Sequence, residues 1–337
     1  MTKVTLTPNE IDGLARACLT ANGCDDANAA AVAATITAAE HDGCPGHGLI
    51  RLPGYVAALR SGKVNGAARP DIERTAPGVV RVDAGGGFAP LALNEGRPHL
   101  IEAAREQGVA VMSLVGAHHF AALWIEVEPL AVAGLCALAC TAYMPAMPPA
   151  GGKQPLFGTN PLAFGWPRKD EPPVVFDLAS AAMARGEVMV AARGGHELPP
   201  GVGLDSDGNP TVDPQAILDG GLLLPFGGYK GSNIAMMVEL LAAGLLGERF
   251  SFEAAEHDNK DGGPPRGGEF LLAMDPGRVA GPDWLDHTET FFDRMQSLEG
   301  VRLPGQRRYD NRESTAAQGI DVPEDLHAKN IALTEKR

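Results

Sequence analysis

The sequence predicts an α/β protein with a helical unit at its N-terminus, and three observations lead there. Residues 7–60 read as helices separated by turn residues, with no strand pattern among them. From Val79 onward, apolar runs of strand length alternate with helix-length segments. A chain of 337 residues with 42 glycines, 27 prolines and 21% charged residues is turn-rich and able to bury a large core, unlike a disordered one.

Thr7-Pro8-Asn9-Glu10 is a capping box with proline in the first turn, opening a helix that ends near Gly23. Asp26 caps a second, alanine-rich helix reaching about His41, and residues 42–47 form a turn. His47, Arg51 and Tyr55 follow at spacing i, i+4, i+8, which on a helix is one face. Pro53 is comfortable only in a first turn, so this helix begins near Leu49 or Ile50 and runs to Leu59-Arg60, with Gly62 as its left-handed stop. His47 then sits at the helix entrance, where free N–H groups favour an anionic ligand and disfavour a charged imidazole. A proton-transfer group, a guanidinium fork and a phenol converge in that geometry. A surface helix with incidental polar residues fits the same spacing.

Val79–Asp83 is a strand followed by Gly85-Gly86-Gly87, yet the dinucleotide fingerprint fails there: Pro90 stands at the third glycine position, and no acidic residue follows at the required distance. A helix over 92–107, closed by Gly108, and a strand over 109–114 come next, then a helix from about Ala121. Apolar strands follow at 135–141, 162–166 and 173–177, separated by a loop at 143–161. A second long loop, 194–228, is rich in Gly, Pro and Asp, and ordered loops of such length usually serve function. Gly231–Leu246 reads as a core helix, 254–268 as a polar excursion, 270–274 as a strand and 283–297 as a helix.

The net charge of -14 argues against nucleic acid or a membrane surface as partner, since both need a basic face. Five cysteines without a C-x-x-C pair indicate free thiols in a reducing cytoplasm. No apolar segment suits export or a membrane span, so a cytoplasmic location is expected. Ser113 and Ser180 lack the G-x-S-x-G elbow of a serine hydrolase. His118-His119 lies at a strand-to-helix junction where backbone N–H groups can meet phosphates, although core or capping roles fit the pair equally. Their neighbours are Ala, Phe and Leu, so no metal centre is expected. Gly227-Gly228-Tyr229-Lys230-Gly231 precedes a helix and suits a phosphate in outline, but a turn with a solvated lysine fits as well. Arg302, Arg307 and Arg308 form a basic cluster able to hold a diphosphate or 2′-phosphate, or else a solvated tail.

Taken together, several blocks resemble the malate/L-lactate dehydrogenase-like NAD(P)H oxidoreductases, and within them the Δ1-piperideine-2-carboxylate/Δ1-pyrroline-2-carboxylate reductases. The blocks are His47-Gly48-Leu49-Ile50-Arg51-Leu52-Pro53-Gly54-Tyr55-Val56, Gly78 to Asp83, and His118-His119-Phe120-Ala121-Ala122-Leu123-Trp124. They continue with Pro155-Leu156-Phe157-Gly158-Thr159-Asn160-Pro161, Phe176-Asp177-Leu178-Ala179, Leu224 to Gly231, and Arg302 to Arg308. The likeness spans nearly the whole chain.

The resemblance implies a non-Rossmann nicotinamide-binding fold with a mixed sheet, a homodimer, and hydride transfer from NADPH (NAD is the alternative) to a cyclic imine carboxylate. Residues 1–76, joined by 282–337, would form a helical substrate and dimer unit, and 77–281 the cofactor domain. His47 would donate the proton and Glu187 would be its carboxylate partner. Arg51, Tyr55, Thr159 and Arg185 would meet the substrate. His118, His119, Phe120, Ala121, Ala122, Leu123, Asp177, Leu178, Ala179, Tyr229, Lys230, Arg302, Gly305, Arg307 and Arg308 would meet the cofactor. Three departures stand out. The family's Ser-His-Gly reads Gly46-His47-Gly48 here and its relay Asp is Glu187, while near Ser180-Ala181-Ala182 a Thr-Ser pair keeps one hydroxyl. The departures leave two alternatives open, a dehydrogenase of an open-chain 2-hydroxy acid (malate, lactate or sulfolactate) and a non-catalytic nucleotide-binding paralogue.

Overall fold

β1 (Lys3–Leu6) leads into α1 (Pro8–Ala21), where the capping box forms as predicted: Glu10 N donates to the Thr7 hydroxyl and Thr7 N to the Glu10 carboxylate, the latter at 2.7 Å. The computed structural model describes residues 2–120 and 122–335. α2 (Asp26–His41) is capped by Asp25 and not Asp26, because Asn28 N donates to the Asp25 carboxylate at 3.0 Å. Two 3₁₀ turns, Pro45–His47 and Leu49–Arg51, precede α3 (Leu52–Arg60).

β2 (Asp71–Ala76), β3 (Val79–Asp83), α4 (Ala89–Gln107), β4 (Val109–His118), α5 (Trp124–Val132), β5 (Cys136–Thr141), β6 (Leu162–Trp166) and β7 (Val174–Leu178) follow. The next stretch carries α6 (Arg185–Gly194), β8 (Gly203–Leu204), β9 (Pro210–Thr211), α7 (Pro214–Leu218) and β10 (Leu222–Leu223). α8 (Tyr229–Glu239) runs into a π turn at Leu240–Gly244, followed by α9 (Ser251–Glu256) and β11 (Arg266–Met274). The chain closes with α10 (Pro276–Ala280), α11 (Trp284–Gln296), α12 (Gln306–Gln318), β12 (Ile320–Pro323) and α13 (Glu324–Ile331).

The main sheet has seven strands in the order β2-β3-β4-β11-β5-β6-β7, and it is mixed: β3–β4 is parallel and the other pairs are antiparallel. Alternation along β4 explains the two covering layers. Ala110, Met112 and Leu114 pack with Leu93 and Leu100 of α4, while Val111 and Val115 pack with Val238 and Ala242 at the C-terminal end of α8 and the π turn. Each fully buried Leu or Met contributes about 1.5–3 kcal/mol over exposure. A separate core joins α1, α2 and α3 to β12 through Ile11, Val32, Ile36, Leu52 and Val322.

Three readings are corrected. Residues 194–228 are not a loop throughout but carry the three-stranded sheet β10-β8-β9, whose two-residue strands leave no alternation to read. The helix over 231–246 starts at Tyr229 and is not wholly core, since Met236, Leu240 and Leu245 stay exposed. The helix bearing Arg51 is broken, for the reason given next.

Candidate active site

Buried Glu40 sets the backbone of the His47 segment. Its carboxylate accepts from Leu49 N at 2.7 Å and fills the space where a side chain on residue 48 would sit, so only glycine fits there. The α-helix expected from Leu49 instead opens as a 3₁₀ turn, Leu49–Arg51, and α3 begins at Leu52 with Pro53 in its first turn. His47, Arg51 and Tyr55 therefore do not share one α-helical face. Tyr55 points into the core, edge-on to Phe88 and Phe120 at 4.9 and 4.8 Å, and burial raises its phenol's pKa. It supports the site from beneath.

His47 and Arg51 do converge. Arg51 Nε donates to the Gly46 carbonyl at 2.7 Å, folding the guanidinium back over the turn that ends in His47, with Cζ 4.9 Å from the Phe120 ring centre. The imidazole stands edge-on to Trp124 at 5.6 Å, and its Nδ1 is buried without a partner. Burial, reinforced by the Arg51 charge, pushes the His47 pKa down to about 4. Trp124 is itself clamped: Nε1 donates to Asp42 at 2.7 Å, and Arg312 of α12 bridges Asp42 and Glu128 at 2.5–2.8 Å. Arg308 lies 5.5 Å over Trp124, donates to the Val175 carbonyl at 2.6 Å and approaches Asp177 to 3.8 Å. Burial raises the Asp177 pKa, and Arg308 opposes it.

At the end of β4, His118 Nδ1 donates to the Pro264 carbonyl at 3.2 Å, and burial lowers the His118 pKa. His119 instead meets two carboxylates, Glu126 at 2.5 Å and Glu269 at 3.5 Å. The three polar groups lie within 4.8 Å of one another, a cluster the sequence concealed because Glu269 arrives from β11. Phe120, Ala122 and Leu123 are buried, and Ala121 lies outside the described residues.

Thr159 is held between two constrained neighbours. Asn160, buried at φ 40°, donates to the Ala235 carbonyl and to Glu239, and Ser251 ties Gly158 N to the same Glu239. Tyr143 was not singled out in the sequence. Burial raises its pKa, an effect that the positive charges of Arg51, Arg185 and Lys63 oppose and the charge of Asp258 adds to. Lys63 also binds Asp258 and Asp261, fastening the 254–268 excursion to the end of α3.

The remaining candidate residues are mostly exposed. Glu187 is exposed, and its carboxylate accepts from Ala184 N at 3.3 Å, capping α6. Arg185, Leu178, Tyr229, Lys230, Arg302 and Arg307 are exposed, and Ala179 is half-buried. Gly305 (φ 87°) opens α12 against the Val175 carbonyl, where a side chain would collide. Among the described residues no helix is long and apolar enough to cross a membrane. All five cysteines are free, and burial raises the pKa of each.

With this geometry established, the chain can be set beside known proteins. It is 47% identical to the Δ1-pyrroline-2-carboxylate/Δ1-piperideine-2-carboxylate reductase of Pseudomonas aeruginosa, covering 98% of this chain and 100% of that one. It is 42% identical to a (2R)-3-sulfolactate dehydrogenase (NADP(+)) of Chromohalobacter salexigens, over 94% and 93% of the two chains. The crystal structure of Δ1-piperideine-2-carboxylate reductase from Pseudomonas syringae pvar. tomato superposes with a TM-score of 0.93 at 44% identity, covering 98% and 99%. The malate/L-lactate dehydrogenase family model matches residues 6–329, and this chain belongs to that family.

Proposed function

We propose that the protein reduces a cyclic imine carboxylate, Δ1-pyrroline-2-carboxylate or Δ1-piperideine-2-carboxylate, to L-proline or L-pipecolate with NADPH. The observation that carries this reading is a half-buried, neutral imidazole (His47) with a guanidinium (Arg51) in the adjacent turn, in a chain 47% identical to a reductase of that name. A bound reduced nicotinamide supplies the hydride that C2 of the imine receives.

The residues present fit such a cofactor. His119 Nδ1 is buried and unpartnered, Arg308 and Asp177 adjoin Trp124, and Gly227 and Gly228 (φ 56° and 63°) bring the N-terminus of α8 into the open beside Tyr229 and Lys230. Arg302 and Arg307 are exposed, with no carboxylate within ion-pair distance among the described residues, which favours a 2′-phosphate partner and hence NADPH over NADH.

Arg51 and Thr159 would hold the substrate carboxylate and so fix C2 in place. The same contact prepares the acid. In the free protein Arg51 disfavours a charged His47, whereas a carboxylate on Arg51 cancels that repulsion. The His47 pKa then rises, and the imidazole can carry a proton to the ring nitrogen. Glu187 would assist only by leaving the Ala184 N–H that it now caps. If Glu187→Gln leaves rate and pH profile untouched, Glu187 is a capping residue alone.

The sulfolactate dehydrogenase relative favours one second reading, oxidation of an open-chain 2-hydroxy acid, for which Arg185 near Tyr143 would supply a cation to a second acidic group. Oxidation of NADPH and NADH with the two cyclic imines, pyruvate, oxaloacetate and 3-sulfopyruvate, run side by side, separates the two. Turnover of the imines supports the first reading, and turnover of keto acids alone replaces it with the second. A homodimer fits Tyr229, Met236, Leu240 and Leu245, which give α8 and the turn beyond it an exposed apolar face.

A further inference from the structure

The buried cluster behind His119 has three partially satisfied groups and a fold device that assembles it. The pairing of β11 with β4 slips between Gly267 and Glu269, and a bulge of this kind re-aims the next side chain. Glu269 is turned inward by it to 2% side-chain exposure, beside Glu126 at 5% and His119 at 9%. His119 Nε2 is 2.5 Å from Glu126 Oε1, and with Glu126 ionised the proton of that bond sits on Nε2. His119 Nδ1, Glu126 Oε2 and both Glu269 oxygens have no partner. A buried lone pair on Nδ1 costs less than a buried, unpaired N–H, so the neutral Nε2–H tautomer is favoured.

We propose that Glu126 is a positioning residue that fixes the His119 tautomer, while Glu269 is a neutral acid beside it. His119 Nδ1 is thereby left as a hydrogen-bond acceptor facing the dinucleotide site. The role of Nδ1 rests on the nicotinamide reading above; the proton on Glu269 does not. Two adjoining buried carboxyl groups cannot both ionise without a large penalty. The charged or titratable groups whose charges act on the pair are Arg97 from α4, Cys140 from β5, Asp177 from β7, Tyr55 from α3, His47 from the turn before it, and His119 itself. Burial and the Glu126 charge raise the Glu269 pKa well above the carboxylate range, in agreement with the geometry. A proton fits better than a metal ion here. The adjoining cavity, lined by His119, Thr141, Gly267, Gly268 and Glu269, is about 10 Å³, room for one water and not for a hydrated cation.

Three measurements on the full chain test this. Isotope-edited infrared spectra of the free protein should show a protonated buried carboxyl that Glu269→Gln removes, and ¹⁵N NMR should show His119 protonated at Nε2. In fluorescence titrations with NADPH and NADH, Glu126→Gln should weaken binding more than about tenfold, and Glu269→Gln, which keeps a neutral side chain of like shape, should weaken it less. A carboxyl band insensitive to Glu269→Gln, an Nδ1–H tautomer, or a Zn²⁺- or Mn²⁺-induced loss of the His119 Nε2–H signal overturns the proposal. Wild-type protein that binds neither dinucleotide, yet shows the band and the tautomer, would instead sink the nicotinamide reading while leaving the proton on Glu269 standing.

Discussion

His47 and His119 are held in the same region by opposite means. His119 lies against Glu126, and a second carboxyl group backs that pair, so hydrogen bonds dictate its orientation. His47 has no carboxylate partner: its ring stands edge-on to Trp124, and burial together with Arg51 keeps it uncharged against the opposing effect of a backbone hydrogen bond at Phe120. A histidine locked by a carboxylate suits a fixed binding contact. One held by packing, with its charge suppressed by a removable cation, suits a group that must gain and lose a proton. Gly46 gives the imidazole no neighbouring side chain, and Trp124, which stands edge-on to it, is itself held by Asp42 and Arg312.

The comparison can be broken most directly at His47. His47→Asn should lower kcat by about 10²- to 10⁴-fold while dinucleotide binding persists, as removal of a general acid does. It should also change the acid dependence of stability. The folded pKa lies below the ordinary histidine value, so the unfolded chain takes up protons first, and stability is lost as pH falls from about 6.5 toward 4. Denaturant titrations of His47→Asn should show a flatter profile across that window, and an unchanged profile would contradict the burial of an uncharged ring.

Arg312→Leu tests the clamp behind Trp124. It leaves the fully buried Asp42 carboxylate without its cation, so unfolding in urea should show a loss of about 3 kcal/mol. Arg51→Leu should reduce kcat/KM for the imine by about 10- to 100-fold, the worth of a charged hydrogen bond to the substrate carboxylate. The smallest effect is expected from Gly46→Ser. Beyond its chain neighbours, no atom stands within 4 Å of the position a Cβ would take, so a serine side chain enters without a clash beside His47, whose Nδ1 has no partner. A gain of a few-fold in kcat would show that packing alone orients the ring imperfectly.

Signals confined to a few neighbouring residues were legible in the sequence. The Thr7–Glu10 capping box, the left-handed Gly108 after α4 and the strands β3, β5 and β6 all follow from local chemistry. The 3₁₀ geometry around Arg51 was not, because it depends on Glu40 reaching from α2 to Leu49 N. Nor was Glu269, which meets His119 only through the strand order of the sheet and a bulge. α12 escaped because Gln306–Gln318 has no buried residue and so no apolar stripe, and β2 because it is an exposed edge strand. Of the candidate residues, His47, Arg51, His119, Asp177 and Arg308 gather around Phe120 and Trp124, and Tyr55 does so only as core.

The central claim is that a substrate carboxylate on Arg51 switches His47 from neutral base to proton donor. An NMR titration of His47, first in the free protein and then with NADP⁺ and a planar five-ring carboxylate that cannot accept hydride, tests it. The account predicts a pKa of about 4 in the free protein and a clear rise in the complex, with Arg51→Leu raised before any ligand is added. An ordinary histidine value in the free protein, or no movement on binding, would contradict it.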